Sequence, residues 1–149
     1  MKKVFINLQF LLATLLLASF SIQNKETCSL TIEVKNLRNS KGVVQFALYN
    51  KDGSIPDERF KNYYRILKGK IINGSATITF NKLPAGRYAV NILHDEDNDG
   101  NIKKGLILPK EGIGFSNYQT IGLSNRPTFT NASFDLNGDK KFLIKVIYL

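Results

Sequence analysis

An acidic, turn-forming run, His94-Asp95-Glu96-Asp97-Asn98-Asp99-Gly100-Asn101, carries the side chains of this sequence that are best suited to holding a cation. Asp95, Asp97 and Asp99 occupy alternate positions and a glycine follows them, which is the spacing with which calcium loops wrap oxygen atoms around a hard cation. With the Asn101 carbonyl they would supply about four or five of the six to eight oxygen ligands that calcium prefers. The run therefore predicts a calcium site of weak affinity, with a Kd of about 10⁻⁴ to 10⁻³ M.

The residues after the run decide which kind of calcium site this is. A helix-loop-helix calcium motif needs a bidentate acid at the end of its loop, a position that Leu106 occupies here, and no helices are predicted on either side. Glu111 is the nearest later acid, and it completes the predicted ligand set if residues 105–112 fold back over the loop. The alternative is a metal-free run that only turns the chain, with Lys103 and Lys104 compensating the repulsion among the aspartates.

His94 is the sole histidine, so a zinc site built from several histidines is excluded. Two roles remain open for it. It is a general base beside Asp95, with Ser116 as the nucleophile of a hydrolase, or it is a structural residue hydrogen-bonded to the loop. We expect the structural role and no enzymatic activity. His94, Phe115, Ser116 and Asn117 are predicted to form a binding surface together with the acidic run, and the glycines of Gly112-Ile113-Gly114 are expected to adopt positive φ in a loop.

Most of the chain is predicted to form β-strands, because apolar side chains alternate with polar ones. Such alternation marks a first strand at about 28–36 and a second at about 44–49, which a hairpin-length loop joins. The domain is therefore expected to open with two paired antiparallel strands, each with one buried face. After the N-terminal segment, only residues 57–60 have the pattern of a short helical turn.

Turn residues divide the rest of the chain into short strands. Asn73-Gly74 reaches positive φ at low cost and predicts a two-residue hairpin turn between strands at 65–72 and 75–80. A further strand at 86–94 leads directly into the acidic run, and Asn137-Gly138-Asp139 predicts a final hairpin. About seven short strands result, and this pattern predicts an all-β fold, an antiparallel β-sandwich.

The N-terminal residues 1–23 are predicted to be a signal peptide, because Lys2 and Lys3 precede an apolar run from Val4 to Phe20. Small residues favour cleavage after Ser21 or shortly beyond it. The alternative is an uncleaved membrane anchor, although the run is at the short edge of what spans ~30 Å of hydrocarbon. We therefore expect an exported protein, in the periplasm, at the cell surface or secreted, with no stable membrane span after cleavage.

The mature chain, 24–149, is predicted to be a single domain, since the whole sequence has 149 residues. Cys28 is its only cysteine, so no intramolecular disulfide forms. The thiol either packs in the core as a small hydrophobe or, less favoured by the residues before it, carries a lipid anchor. The formal net charge is +9, but the lysines are scattered and no aromatic residues interleave with them. This distribution argues against nucleic-acid binding and for a solvated basic surface.

Two motifs carry a resemblance to known proteins. Leu83-Pro84-Ala85-Gly86-Arg87-Tyr88-Ala89-Val90 resembles the corner of transthyretin-like, or carboxypeptidase regulatory-domain-like, β-sandwiches, where the tyrosine pins the corner between the sheets. His94–Gly100 and Gly105–Asn117 resemble two motifs of the domain-of-unknown-function family 2141, which comprises uncharacterised exported proteins of bacteria. This sequence departs from the family in two places. Lys103 stands where the family often has an acidic residue, and Leu106-Ile107-Leu108 lengthens the segment that precedes Pro109.

The resemblance covers essentially the whole mature chain, and it implies an exported β-sandwich. From these observations we expect a binding or adhesion module whose acidic loop is stabilised by calcium, with an envelope protein or glycan as its partner. A structural or accessory envelope protein without a metal is the first alternative, and a hydrolase that uses His94 is the second.

Overall fold

The computed structural model describes residues 26–103, 109–122 and 124–149. Within these ranges the elements are β1 (Thr27–Val34), β2 (Val43–Tyr49), β3 (Arg65–Gly69), β4 (Ala76–Pro84), β5 (Gly86–Asp95), β6 (Gly112–Phe115), the short helix α1 (Phe129–Ala132), β7 (Phe134–Leu136) and β8 (Lys140–Leu143). The strands form two sheets, one with the order β4-β1-β8 and the other with the order β3-β2-β5-β6, and β7 pairs with the start of β5. Of the strand pairs described, β1 with β8 is parallel and the others are antiparallel.

The predicted all-β sandwich is confirmed, and its main core lies between the two sheets. Leu30 and Ile32 of β1 pack there with Phe46 of β2 and Ile92 of β5. All four side chains are removed from solvent, and burial of each contributes about 1.5 to 3 kcal/mol of transfer free energy. The shared core fixes the orientation of β5, the strand that leads into the acidic run.

A second core covers the outer face of the β2 and β5 sheet. Ala47 and Tyr49 of β2 and Leu93 of β5 pack there against Ile113, Phe129 and other apolar side chains from the connecting segments. Consequently β2 and β5 are buried on both faces almost throughout. The prediction that the second strand buries only one face is therefore wrong, because loops cover the face that the alternating pattern assigned to solvent.

The first two strands do not form the predicted hairpin. β1 pairs with β4 and β8, whereas β2 pairs with β3 and β5 in the other sheet. The predicted boundaries of both strands agree with the structure to within about two residues, as is usual for strand ends. The loop between them crosses from one sheet to the other, so strand existence was predictable here and pairing was not.

The Asn73-Gly74 turn forms as predicted, with positive φ at both residues and reciprocal hydrogen bonds between Ile72 and Ser75. The strands that flank it nevertheless belong to different sheets, because β3 pairs with β2 and β4 pairs with β1. The predicted final hairpin is likewise wrong, since β7 pairs with β5 and β8 pairs with β1. Residues 57–60 form a turn without a helix, and the short helix lies at Phe129–Ala132 instead.

Strand β5 begins at the predicted corner and ends in the acidic run. The Tyr88 hydroxyl donates a hydrogen bond of 2.9 Å to the carbonyl oxygen of Pro84, the last residue of β4, and its ring is buried. This contact ties the end of β4 to the start of β5, as the tyrosine of the corner motif predicts. The transthyretin-like label itself stays a prediction.

The predicted signal peptide, residues 1–23, lies outside the described residues. Across the ranges that the structure does describe, no helix has the length and apolar character needed to cross a membrane. Cys28 is a free thiol that lies buried on β1, where it packs as a small hydrophobic side chain.

Candidate metal centre

The acidic run begins within β5, whose last two residues are His94 and Asp95, and it continues as a turn after the strand ends. One ligand atom each from Asp95, Asp97 and Asp99 lies within 4.8 Å of the others. Oxygen ligands at 2.3–2.6 Å from a calcium ion can be up to about 5 Å apart, so the spacing fits one shared ion. The three aspartates that the sequence predicted as ligands are therefore brought together.

Asp97 and Asp99 each use one carboxylate oxygen to brace the loop. Asp97 Oδ1 accepts a hydrogen bond of 3.2 Å from the Asp99 amide, and Asp99 Oδ1 accepts one of 2.8 Å from the Asn101 amide. The second oxygen of each faces the ammonium group of Lys103, which contacts Asp97 Oδ2 and lies 3.4 Å from Asp99 Oδ2. Lys103 thus occupies the place of a cation between the two carboxylates, as the compensating role predicted for it requires. Lys104 lies outside the described residues.

Asp95 differs from the other two aspartates because its side chain is fully buried. Its Oδ2 accepts a 3.1 Å hydrogen bond from the Gly100 amide and lies 3.4 Å from the ammonium group of Lys68. Its Oδ1 is buried and has no hydrogen-bond partner among the described residues. A buried carboxylate oxygen without a donor is costly, and a bound cation is one way to satisfy it.

The Glu111 side chain reaches the backbone of the run, but Glu111 is not among the residues whose ligand atoms share the 4.8 Å spacing, so its role as a ligand stays a prediction. Its Oε1 accepts a hydrogen bond of 2.9 Å from the Glu96 amide, and this contact joins the acidic run to the start of β6. Its Oε2 is buried and unpartnered within the part of the chain that the structure describes. Burial raises the pKa of Glu111, the backbone amides of Glu96 and Lys103 lower it, and the charges of Asp95 and Asp99 raise it again. The net shift of the Glu111 pKa is upward, and burial is its largest cause.

Four carboxylates consequently share one arrangement, in which one oxygen accepts a hydrogen bond from a backbone amide and the other does not. Asp97 and Asp99 direct theirs to Lys103, whereas those of Asp95 and Glu111 have no partner among the residues described. The two ammonium groups of Lys68 and Lys103 offset half of the charge that these carboxylates carry when ionised. The remaining negative charge is the amount that one divalent cation would neutralise.

Asn101, the remaining predicted ligand, lies next to Asp99. Its side-chain amide donates a hydrogen bond of 2.9 Å to the Asp99 carbonyl oxygen, so the side chain braces the loop. A role of its carbonyl as a ligand stays a prediction. Glu96 points to the other side of the run, where hydrogen bonds from Asn39 and Arg38 outweigh its burial and lower its pKa. Glu96 is thereby committed to an ion pair outside the cluster.

His94 is fully buried, and both of its ring nitrogens have partners within the fold. Nδ1 lies 2.7 Å from the Tyr148 hydroxyl, and Nε2 lies 3.0 Å from the Lys41 carbonyl oxygen. Because a carbonyl only accepts, Nε2 carries the proton that bonds to Lys41, and Nδ1 is paired with the Tyr148 hydroxyl. This arrangement is that of a structural histidine which joins β5 to the loop before β2 and to the C-terminal segment.

The predicted nucleophile Ser116 does not meet His94. The Ser116 hydroxyl donates to the Ala132 carbonyl oxygen at 2.5 Å and accepts from the Val90 amide at 2.9 Å. It lies beside Val90, four residues before His94 on β5, which corresponds to a separation of about 13 Å along a strand. The described geometry therefore contains no His94 and Ser116 dyad.

The predicted binding surface has mostly interior members. His94 and Ser116 are fully buried, and Phe115 is 4% exposed. Asn117 is exposed, and its side chain donates to the Ser133 carbonyl oxygen at 2.9 Å. As an exposed surface made of these four side chains the prediction is wrong, because the C-terminal segment covers His94 and the helix α1 covers Ser116. Phe115 instead contributes to the second core.

The two glycines before Phe115 lie in strand β6 and not in a loop with positive φ, so that prediction is also wrong. Glycine is required at these two positions for a different reason. A Cβ atom at Gly112 would come within 2.5 Å of the Val146 side chain, and one at Gly114 within 2.5 Å of the Lys145 carbonyl oxygen. The glycines therefore permit the C-terminal segment to pass closely over β6.

Two residues that support the site were not predicted. Lys68 on β3 pairs with Asp95, and the buried Gln45 on β2 donates a hydrogen bond of 3.3 Å to the Gly100 carbonyl oxygen. The sequence contained a sign of the second contact, because Gln45 is the one amide in the otherwise apolar stretch of β2. Lys68 gave no such sign, since its proximity to Asp95 depends on the pairing of β3 with β2.

Comparison with known proteins identifies the family. Residues 32–143 match the family model described as "Uncharacterized protein conserved in bacteria (DUF2141)", which is most of the chain. The chain belongs to this family. The resemblance drawn from the acidic run and the Gly-Phe-Ser-Asn segment is thereby confirmed. Searches of curated proteins and of solved structures found no match.

Proposed function

We propose that this DUF2141 protein is an exported, non-enzymatic binding or adhesion module whose acidic run is stabilised by calcium. The observation that supports the proposal is that the two carboxylate oxygens have different roles in each of Asp95, Asp97, Asp99 and Glu111. In each, one oxygen holds the backbone and the other remains for a cation. Calcium prefers oxygen ligands from carboxylates and backbone carbonyls, and millimolar calcium outside the cell would suffice for a site of weak affinity.

A calcium ion here would join two segments that are separate in sequence. The acidic run and the start of β6 are already linked by the hydrogen bond between Glu96 and Glu111. An ion held by Glu111 and the aspartates would strengthen that link and rigidify the rim of the sandwich. Rigid rims that carry loops are common places for recognition, and an envelope protein or glycan is the partner class that we propose.

Thermal unfolding of the mature protein with calcium and with chelator tests the cation claim. We expect calcium to raise Tm by several degrees in the wild type and to leave Asp97→Asn combined with Asp99→Asn unchanged. Asp52→Asn, which removes an exposed acid far along the chain from the run, is the matched control and should keep the calcium response. An equal response in the double variant and the wild type would refute the proposed ligands.

A second candidate is a structural envelope protein without a metal, and one observation favours it. The Lys103 ammonium group already bridges Asp97 and Asp99, so the chain supplies its own cation there. Lys103→Gln separates the two candidates. If Lys103 is the permanent cation, the variant loses stability and calcium does not restore it. If calcium is the cation, removal of the competing ammonium group increases calcium affinity, and calcium restores the stability.

A further inference from the structure

A partly open pocket of about 270 Å³ lies on the outer face of the sheet that contains β5 and β6. Its walls are mostly apolar, and Ile102, Ile113, Phe115 and Ile121 contribute to them. A dry cavity of about 150 Å³ can hold a benzene ring, so this pocket has room for a ring with a polar substituent. It is separate from the carboxylate cluster, although Ile102 follows the acidic run directly.

Asn91 of β5 is the unusual residue in this pocket. It is fully buried between Ala47 and Phe115, its neighbours on the adjacent strands. Neither its amide nitrogen nor its carbonyl oxygen has a hydrogen-bond partner among the described residues. A buried carboxamide without partners costs stability, whereas an apolar side chain of the same shape would not. Such a residue in an apolar pocket indicates that something outside the chain satisfies it.

The neighbours of Asn91 do not satisfy it. The Tyr49 hydroxyl lies beside it but donates its proton to Asp57 Oδ2 at 3.2 Å. Burial raises the pKa of Tyr49, the Asp57 charge raises it further, and the Asn91 side chain lowers it as a weakly hydrogen-bonding neighbour. The contact between Asn91 and Tyr49 is nevertheless too long or too bent for an ordinary hydrogen bond. Asp57 is itself engaged by the amides of Lys61 and Asn62. Donor and acceptor of the Asn91 carboxamide therefore both remain for a ligand.

We propose that the pocket binds a neutral molecule that has an apolar body and an amide group. An amide offers one acceptor and at least one donor, which match the donor and the acceptor of the Asn91 carboxamide. The body would pack against Phe115 and the isoleucines of the walls. The lining also includes the acids Asp57 and Glu58 and the cation Arg126, so the surroundings do not favour an anionic ligand over a neutral one.

Titration of the full mature protein with three probes of one shape tests this inference by NMR. The probes are benzamide, benzoate and toluene, and a chelator is present so that the result does not depend on calcium. We expect benzamide to shift the Asn91 side-chain amide resonances and those of Ile113 in a saturable manner. It should bind roughly threefold to tenfold more tightly than toluene, the gain expected from about one net hydrogen bond.

Asn91→Leu is the informative variant because it keeps the shape and removes both polar atoms. It should abolish the preference for benzamide over toluene while unfolding at the same temperature as the wild type or higher. Ser116→Ala is the matched control for stability. It removes a buried polar group whose hydrogen bonds are satisfied, so it should lower Tm.

Three results would overturn the inference. These are benzoate or toluene binding as tightly as benzamide, an unchanged preference in Asn91→Leu, and no probe binding while Asn91 is bridged by a long-lived water. If Asn91→Leu fails to fold, the comparison of the three probes on the wild type still tests the inference. Titration with N-acetyl-leucinamide distinguishes a peptide from another small molecule as the source of the amide. Tighter binding of this capped residue than of benzamide identifies a peptide.

Discussion

Replacement of Glu111 by glutamine should change the stability in opposite directions with and without calcium. In chelator, the ionised carboxylate has one buried oxygen without a partner among the described residues and lies near Asp95 and Asp99. Glutamine is neutral and keeps an oxygen that accepts the Glu96 amide. Relief of the unpaired charge should therefore raise the free energy of unfolding of Glu111→Gln by about 1 kcal/mol over the wild type.

In 10 mM calcium the order should reverse. A site with a Kd of about 10⁻⁴ to 10⁻³ M stabilises the wild type by about 1.4 to 2.7 kcal/mol at that concentration. If the variant has lost the site, the wild type becomes the more stable protein by about 0.4 to 1.7 kcal/mol. The ligand role of Glu111 thus predicts a change of sign, which a purely structural role does not.

The assay is urea unfolding of wild type, Glu111→Gln and the control Asp52→Asn, each in chelator and in 10 mM calcium at constant ionic strength. Constant ionic strength removes general screening, which acts on all three proteins alike. The reasoning fails if Glu111→Gln is less stable than the wild type in both solutions, or if calcium stabilises both by the same amount.

Three further outcomes are expected. Because the pKa of Glu111 is raised in the folded protein, stability in chelator should fall as pH rises from about 4.3 through the folded pKa. Calcium or Glu111→Gln should abolish this fall, and its persistence in Glu111→Gln melts would contradict the assignment. Gly114→Ala should cost about 1 to 3 kcal/mol in urea unfolding because its Cβ meets the Lys145 carbonyl, whereas Gly138→Ala, with open space around it, should be neutral. His94→Leu should cost about 2 to 4 kcal/mol, because the Lys41 carbonyl and the Tyr148 hydroxyl each lose the hydrogen bond to the imidazole. A wild-type hydrolase activity that this variant abolishes without loss of fold would instead show catalysis.

Local features of the fold were predictable from the sequence where a few neighbouring residues determine them. Strand β5 was predicted almost to the residue, because its apolar alternation begins after Pro84 and Gly86 and ends at the acidic run. The Asn73-Gly74 turn was also predicted, since its backbone preference is intrinsic to those residues. The pairing of strands was not, because β1 and β2 have the same pattern whether they pair with each other or lie in opposite sheets.

The site was predictable only in part. The convergence of Asp95, Asp97 and Asp99 follows from their spacing in a turn, whereas the approach of Glu111 to the run depends on the pairing of β6 with β5, which was not predicted. Burial of His94 and Ser116 was not predictable, because it depends on the C-terminal segment and on the helix α1 that cover them. The same cause explains Gly112 and Gly114, whose small size is required by a segment about thirty residues further along the chain.

A calcium titration followed by NMR of the backbone amides tests the central claim most directly. We expect saturable shifts with a Kd of about 10⁻⁴ to 10⁻³ M, confined to the acidic run and to Glu111 and its neighbours, and greatest at Gly100 and Asn101, whose amides donate to the ligand carboxylates. A folded spectrum that shows no saturable change up to 10 mM calcium would contradict the account.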